Sequence, residues 1–293
     1  MSFIGNDWQA ENANMTKAMA QHKSYRDKVD LKIMVAGPNA QKQNQQINAM
    51  VQAGADAIVV FPISPTALNK SIKNACDRGV FVVSYAANVT EPCAYIVTIN
   101  EKEVGPVTAQ WLVDALGAKG RVAMVTGVPG TSVDTDRTEG AKAVFSKNPG
   151  IEIVAEVNGM WSQAVARAEL AKVIATHGWD GIDGLWMQAG CFSATAMQIE
   201  AGIADDKLRP CAGEASNGHR IQMLPVGTVE GQGAYRSVAL RSISYGSPLY
   251  SGALSLKTAV RLLEGEDVPH LITLPLPLST SAEIKLCEEG TWA

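Results

Sequence analysis

The 293-residue sequence predicts an α/β fold of two Rossmann-like lobes, each with a parallel sheet, joined by a multi-strand hinge. Three observations carry this. Apolar, β-branched runs of strand length alternate with stretches of helical periodicity, the pattern of parallel sheets covered on both faces. The alternation halts near Gly117 and starts afresh at Arg121. The length is too great for one typical domain and about right for two.

Ser2–Gly5 reads as a truncated strand, followed by the polar loop Asn6-Asp7-Trp8. A helix is expected over Glu11–His22, a strand over Leu31–Ala36, and a second helix that ends before Gly54. Ala57–Phe61 is a fully apolar strand closed by Pro62, and Ser64-Pro65 offers a cap and a first-turn proline to the next helix. Val80–Ser84 and Tyr95–Ile99 read as strands, with Tyr85–Asn88 as a loop between them. The first half runs roughly to Ile99, and the helix Glu101–Leu116 leads from it into the second.

The second half opens with the strand Arg121–Thr126, broken by Gly127, Pro129 and Gly130. Thr131, Ser132 and Asp134 can cap the helix Thr135–Phe145. Further strands are expected at Ile151–Val157, Gly184–Met187, Arg209–Gly213 and Val238–Ser244. Helices follow Trp161, Cys191 and Asn217, and a last one spans Ser251–Leu263. The spaced prolines of Leu274-Pro-Leu-Pro277 suit an edge or an extended crossing. The late helix and the tail are surplus to both halves and return to complete them. This gives an N-terminal lobe of residues 1–98 plus 248–270 and a C-terminal lobe of residues 99–247 plus 271–293. The chain crossings between them can act as a hinge.

Composition narrows the function. A net charge of −4, with no concentration of Lys and Arg, argues against nucleic acid as a partner. No apolar run approaches the roughly 20 residues that span a bilayer. The five cysteines, Cys76, Cys93, Cys191, Cys211 and Cys287, show no CxxC and no framework density. Cys76 and Cys211 read as small core residues. The four histidines offer a poor general base, with only His219 near a strand-end loop. Gly127-Val-Pro-Gly130-Thr-Ser lacks the lysine of a phosphate loop, no GxGxxG follows the first strand, and no cluster has metal-ligand spacing. No cofactor, no metal and no enzymatic activity are therefore expected. An enzyme acting through Glu214 and His219 is the weaker alternative.

In parallel sheets the loops after the strands gather at one edge, where ligands bind. Those loops hold Asn6, Asp7, Trp8, Phe61, Tyr85, Asn88, Arg137, Trp161, Gln188, Glu214, Asn217 and Tyr245. Amides, carboxylates and an arginine match paired hydroxyls, and flat rings pack on the C–H face of a sugar. All of these except Phe61, which reads as the core end of its strand, are the candidate ligand contacts.

The markers Ile4-Gly-Asn-Asp-Trp8, Gly54-Ala-Asp-Ala-Ile-Val-Val-Phe-Pro62, Gly127-x-x-Gly130-Thr-Ser with Arg137-x-x-Gly140, and Gly159-Met-Trp161 occur in this order. With them, nearly the whole chain resembles the type I periplasmic sugar-binding proteins of ABC transporters, the ribose-binding group in particular. The resemblance implies a periplasmic, monomeric protein that holds a monosaccharide or polyol between two closing lobes and docks on a transporter permease. It places the polar and aromatic contacts of the first strand on Asn6, Asp7 and Trp8. The second lobe's arginine falls on Arg137 and its next aromatic on Trp161. The following polar residue falls on Gln188, and the last loop's acidic residue on Glu214, with Asn217 close by. Ala86 stands where such proteins usually carry Asp, with Asn88 as a possible substitute, which leaves a non-sugar ligand open. The first strand begins almost at Met1, so the start is read as that of a clipped or mature form. A ligand-sensing module for chemotaxis or another signalling receptor is the alternative use of the same fold.

Overall fold

The computed structural model of the protein describes residues 1–3, 5–214 and 216–286. The elements begin with β1 (Ser2–Phe3), α1 (Asp7–Gln21), β2 (Met34–Val35), α2 (Ala40–Gln52), β3 (Ala57–Val60), α3 (Asn69–Asp77), β4 (Phe81–Tyr85) and β5 (Tyr95–Ile99). Next come α4 (Glu101–Ala115), β6 (Gly120–Thr126), α5 (Ser132–Phe145), β7 (Ile151–Asn158), α6 (Gln163–His177), β8 (Gly184–Met187) and α7 (Cys191–Glu200). The chain continues with β9 (Cys211–Glu214), α8 (Asn217–Met223), β10 (Ser242–Tyr245), α9 (Ser251–Leu263), β11 (Leu271–Leu274) and β12 (Leu278–Thr280).

The chain divides into two compact units. The first comprises Met1–Asn100, Gly130–Thr135 and Pro248–Pro275. Its sheet runs β11-β5-β4-β3-β1-β2, and every pairing among the described residues is parallel. The two-residue period of a strand divides its side chains between two cores. Ile58, Val60 and Val82 pack under α2 and α3 with Ile47, Met50 and Ile72. Val83 and Val97 face the other way and meet Ala259 and Leu262 of α9.

The second unit comprises Glu101–Pro129, Asp136–Ser247 and the chain from Leu276 onward. Its sheet runs β12-β10-β9-β8-β6-β7, parallel except for the antiparallel pairing of β12 with β10. Val122, Met124 and Trp186 pack with Leu112 of α4 and Phe145 of α5. Val125, Leu185 and Met187 pack on the opposite face with Ala166 and Leu170 of α6.

The structure corrects several expectations. Residues 271–274, assigned from sequence to the second lobe, pair with β5 in the first sheet, from Leu271 beside Ile96 to Leu274 beside Ile99. Pro275 and Pro277 then end that ladder because they lack the N–H it needs, and β12 joins the other sheet. Helix α1 begins at Asp7, four residues before the expected Glu11, because Asn6 Oδ1 accepts the Gln9 N–H at 2.9 Å and starts the helix there. The strand expected over Leu31–Ala36 is observed as β2, paired with Ser2 and Phe3 among the described residues, and the Ala36 N–H donates to the Phe3 carbonyl just beyond it. Tyr85 and Tyr245 close β4 and β10 instead of opening loops.

Cys76 and Cys211 are not free core thiols. Cys76 is joined to Cys93 and Cys191 to Cys211, closing sequence separations of 17 and 20 residues. Each pairing is set by topology, which carries the end of α3 past the loop before β5 and the start of α7 past β9. Cys287 lies outside the described residues.

A loop of this size restricts the unfolded chain by about 3 kcal/mol. Cys76→Ala/Cys93→Ala should therefore lower the urea midpoint of the oxidised protein, to the value that Cys76→Ala alone gives. An unchanged midpoint would show that this bridge does not constrain the unfolded chain.

Candidate ligand-binding site

Four of the residues singled out from sequence converge in the second unit. Arg137, on α5, is only 3% exposed, and Glu101, the first residue of α4, is 4% exposed. The Arg137 Nε donates to Glu101 Oε2 at 2.7 Å. Its Nη1 donates to Tyr245 Oη at 2.9 Å and its Nη2 to Ser247 Oγ at 3.2 Å, with the guanidinium 4.8 Å from the centre of the Tyr245 ring. The helices meet this closely because of Gly105, where a Cβ would fall 2.0 Å from the Arg137 carbonyl oxygen. Burial pushes the Glu101 carboxyl above its ordinary range, against the opposing pull of Arg137.

Tyr245 links this pair to the end of β8. Its hydroxyl donates to the Gln188 carbonyl at 2.8 Å. The buried Gln188 amide then works in both directions, Nε2 donating to Thr138 Oγ1 at 2.9 Å and Oε1 accepting from Trp161 Nε1 at 2.8 Å. Trp161 is half-buried, at the end of a turn in which Met160 and Trp161 both take left-handed backbone angles (φ 56° and 51°). That conformation costs a non-glycine residue about 1–2 kcal/mol. The indole lies on Gly127, where a Cβ would stand 2.2 Å from ring atoms, so glycine is obligatory there. Ser162 follows and caps α6 by accepting the Val165 N–H.

In the first unit, Trp8, Tyr85 and Phe61 form a cluster of rings. Trp8 stacks on Tyr85 at 6.3 Å, and Phe61 meets Tyr85 edge-on at 5.6 Å. Gln43 fixes the chain at Phe61 by donating to its carbonyl and accepting the Ile63 N–H. The Tyr85 ring is completely buried, and that burial pushes its phenol well above the ordinary range. Among the described residues, the buried Tyr85 Oη and Asn88 Oδ1 have no hydrogen-bond partner. Leaving such an atom unpaired costs roughly 1–3 kcal/mol. The Asn88 N–H donates to Ser132 Oγ, and Ala86 sits at φ 59°. Asn6 is occupied as the cap of α1, while Asp7 is exposed in its first turn.

Asn217 is the exposed first residue of α8, and the backbone of Glu214 closes β9, its side chain lying outside the described residues. Ile4, which opens the first marker, lies outside them as well. Sequence reasoning missed Glu101, Thr138 and Ser247. Glu101 reads there as an ordinary first-turn acid at a helix N-terminus. Ser247 was visible within Tyr245-Gly-Ser-Pro248, and Thr138 stands next to Arg137.

Residues 1–267 match the family described as periplasmic binding protein domain. The chain belongs to this family. It is 27% identical over 170 residues to a xylitol-binding protein of Mycolicibacterium smegmatis, covering 57% of this chain and 48% of that one. The chain thus spans about half the length of that relative. A putative rhizopine-binding protein of Rhizobium meliloti is 26% identical over 273 residues, 88% of this chain and 82% of its own. An ABC transporter solute-binding protein from Thermobispora bispora has the same fold, with a TM-score of 0.80 at 25% identity over 94% of this chain and 83% of its own. The two βα units with mostly parallel sheets described above accord with this membership.

His219 does not suit the enzymatic alternative. It is fully buried, with Nε2 2.9 Å from Ser242 Oγ, and burial, aided by the charge of Arg220, lowers its pKa from 6.5 to about 3. The folded protein therefore holds it neutral. The stabilisation is complete above the unfolded value of 6.5 and is lost as pH falls toward about 3, a change of roughly 5 kcal/mol at most. Urea unfolding of the wild type should weaken more steeply between pH 6.5 and 4 than that of His219→Gln. Equal slopes would contradict the burial argument.

Proposed function

We propose that the protein is an extracytoplasmic solute-binding protein that captures a small sugar or polyol, with a monosaccharide foremost, and delivers it to the permease of an ABC transporter. It binds its ligand as a monomer and without turnover. The observation that carries this reading is the arrangement of Arg137, Gln188, Tyr245 and Trp161. On this reading a guanidinium, an amide and an indole, each held by its neighbours, serve the strand ends where open α/β sheets receive ligands. A polyol needs forked donors and acceptors for its hydroxyls and a flat ring for its C–H face.

The remaining contacts on this reading are Asn6, Asp7, Trp8, Tyr85, Asn88, Glu214 and Asn217. The unpaired Tyr85 Oη and Asn88 Oδ1 support the first unit's part in it, because a bound hydroxyl would satisfy either atom. A xylitol-binding relative supports the ligand class. Location outside the cytoplasm is supported by the two disulfides, which persist where thiols are not kept reduced.

Thermal shift and tryptophan fluorescence against xylitol, ribose, xylose, arabinose, galactose and myo-inositol provide the test. At least one should raise the melting temperature, and Trp161→Ala should weaken that ligand by more than about 1 kcal/mol with the fold retained. Arg137→Ala is a poorer probe, because it strands Glu101 and should cost about 3–5 kcal/mol of stability by itself. If no sugar or polyol shifts the melting temperature, the assignment is wrong.

A further inference from the structure

The charge on Arg137 is balanced within its own unit, and the balance bears on which ligand the site accepts. A guanidinium in a buried site would otherwise favour an anion, because a carboxylate or phosphate accepts its fork of N–H groups and neutralises it. Here Glu101 takes the Nε edge at 2.7 Å, and both side chains are almost completely buried. The contact depends on the close crossing of α4 and α5 at Gly105, one turn after Glu101, and so it is built into the packing of the two helices. Tyr245 and Ser247 hold the two terminal nitrogens and fix the plane of the guanidinium. Tyr245 Oη reaches the Gln188 backbone and the Gln188 amide reaches Trp161, so the position of the pair is passed along to the indole.

We propose that Glu101 is a positioning and specificity-determining residue, whose carboxylate orients Arg137 and cancels its charge so that the site takes a neutral polyol and rejects the corresponding sugar acid. The proposal rests on the solute-binding reading above, with Arg137 facing the ligand. A purely structural Glu101 would affect all ligands alike. A charge-balancing Glu101 discriminates between ligands that differ only in charge.

The experiment measures dissociation constants of the wild type and Glu101→Gln for ribose, xylose and xylitol and for ribonate and xylonate, by calorimetry at one ionic strength. Gln keeps an oxygen for the Arg137 Nε and removes the charge. The wild type should prefer the neutral compounds. In Glu101→Gln the ratio of acid to neutral affinity should rise at least roughly tenfold, as expected for a charge removed a few ångströms from the ligand in a poorly screened site. Glu101→Asp, which keeps the charge, should retain the wild-type preference even where overall affinity falls. If Glu101→Gln does not fold, the same charge step is read between Arg137→Gln and the double variant Arg137→Gln/Glu101→Gln, with the acid-to-neutral ratio again higher in the variant lacking the carboxylate. A ratio that does not move, or a wild type that prefers the acids, overturns the proposal while leaving sugar binding standing. A wild type that binds neither class overturns the solute-binding reading, and this inference with it.

Discussion

The second unit is organised around one buried charge. Moving a guanidinium out of water costs several kcal/mol unless its partner and hydrogen bonds are well placed. Arg137 therefore dictates much of its surroundings. The carboxylate of Glu101 must start α4, Gly105 must let the two helices touch, and Tyr245 must end β10 at the height where its hydroxyl meets Nη1. Tyr245 is the point where helix packing is converted into strand-end geometry, since the same hydroxyl donates onward to Gln188 at the end of β8. A residue that accepts from one side and donates to the other ties the two together, which a one-way contact would not do.

The turn at Met160-Trp161 shows how the far end of this network is held. Two consecutive non-glycine residues with positive φ persist only where the neighbourhood over-determines them. Three contacts do so: the indole's place on Gly127, its hydrogen bond to Gln188, and the Ser162 cap that launches α6 immediately afterwards. A rigid aromatic loses little entropy when a ligand packs on it. These contacts fix the ring and offset the strain of the turn.

Much of this plan was legible in the sequence, for identifiable reasons. Apolar runs ended by glycine, such as Val122–Val125 before Gly127, mark strand ends because interior strands must be apolar and their exits need special backbone angles. Trp161 and Gln188 lie just past strand ends, and Arg137 lies on the helix that follows one. What escaped notice depends on contacts far apart in the chain. Glu101 looks like any acid in a first helical turn, and only the helix crossing turns it into the partner of Arg137. Tyr85 and Tyr245 read as loop residues because they adjoin polar positions, whereas ladders with β5 and β9 carry the strands through them. The cysteine pairs and the sheet change at Pro275–Pro277 likewise follow from topology that no local pattern encodes.

The two units differ in the chemistry of the residues singled out from the sequence. At Ala86 the first unit has a methyl where the resemblance leads one to expect a carboxylate, in a left-handed conformation that Asp and Asn tolerate better than Ala. The same unit holds the clustered rings of Trp8, Phe61 and Tyr85 and two buried polar atoms without described partners, Tyr85 Oη and Asn88 Oδ1. The first unit's cluster is thus mainly apolar. The second supplies a guanidinium and an amide inside a connected network. The contrast follows from where each unit places its polar side chains: those of the second hold one another around a buried charge, whereas the buried Tyr85 hydroxyl of the first belongs to a ring cluster that offers it no acceptor.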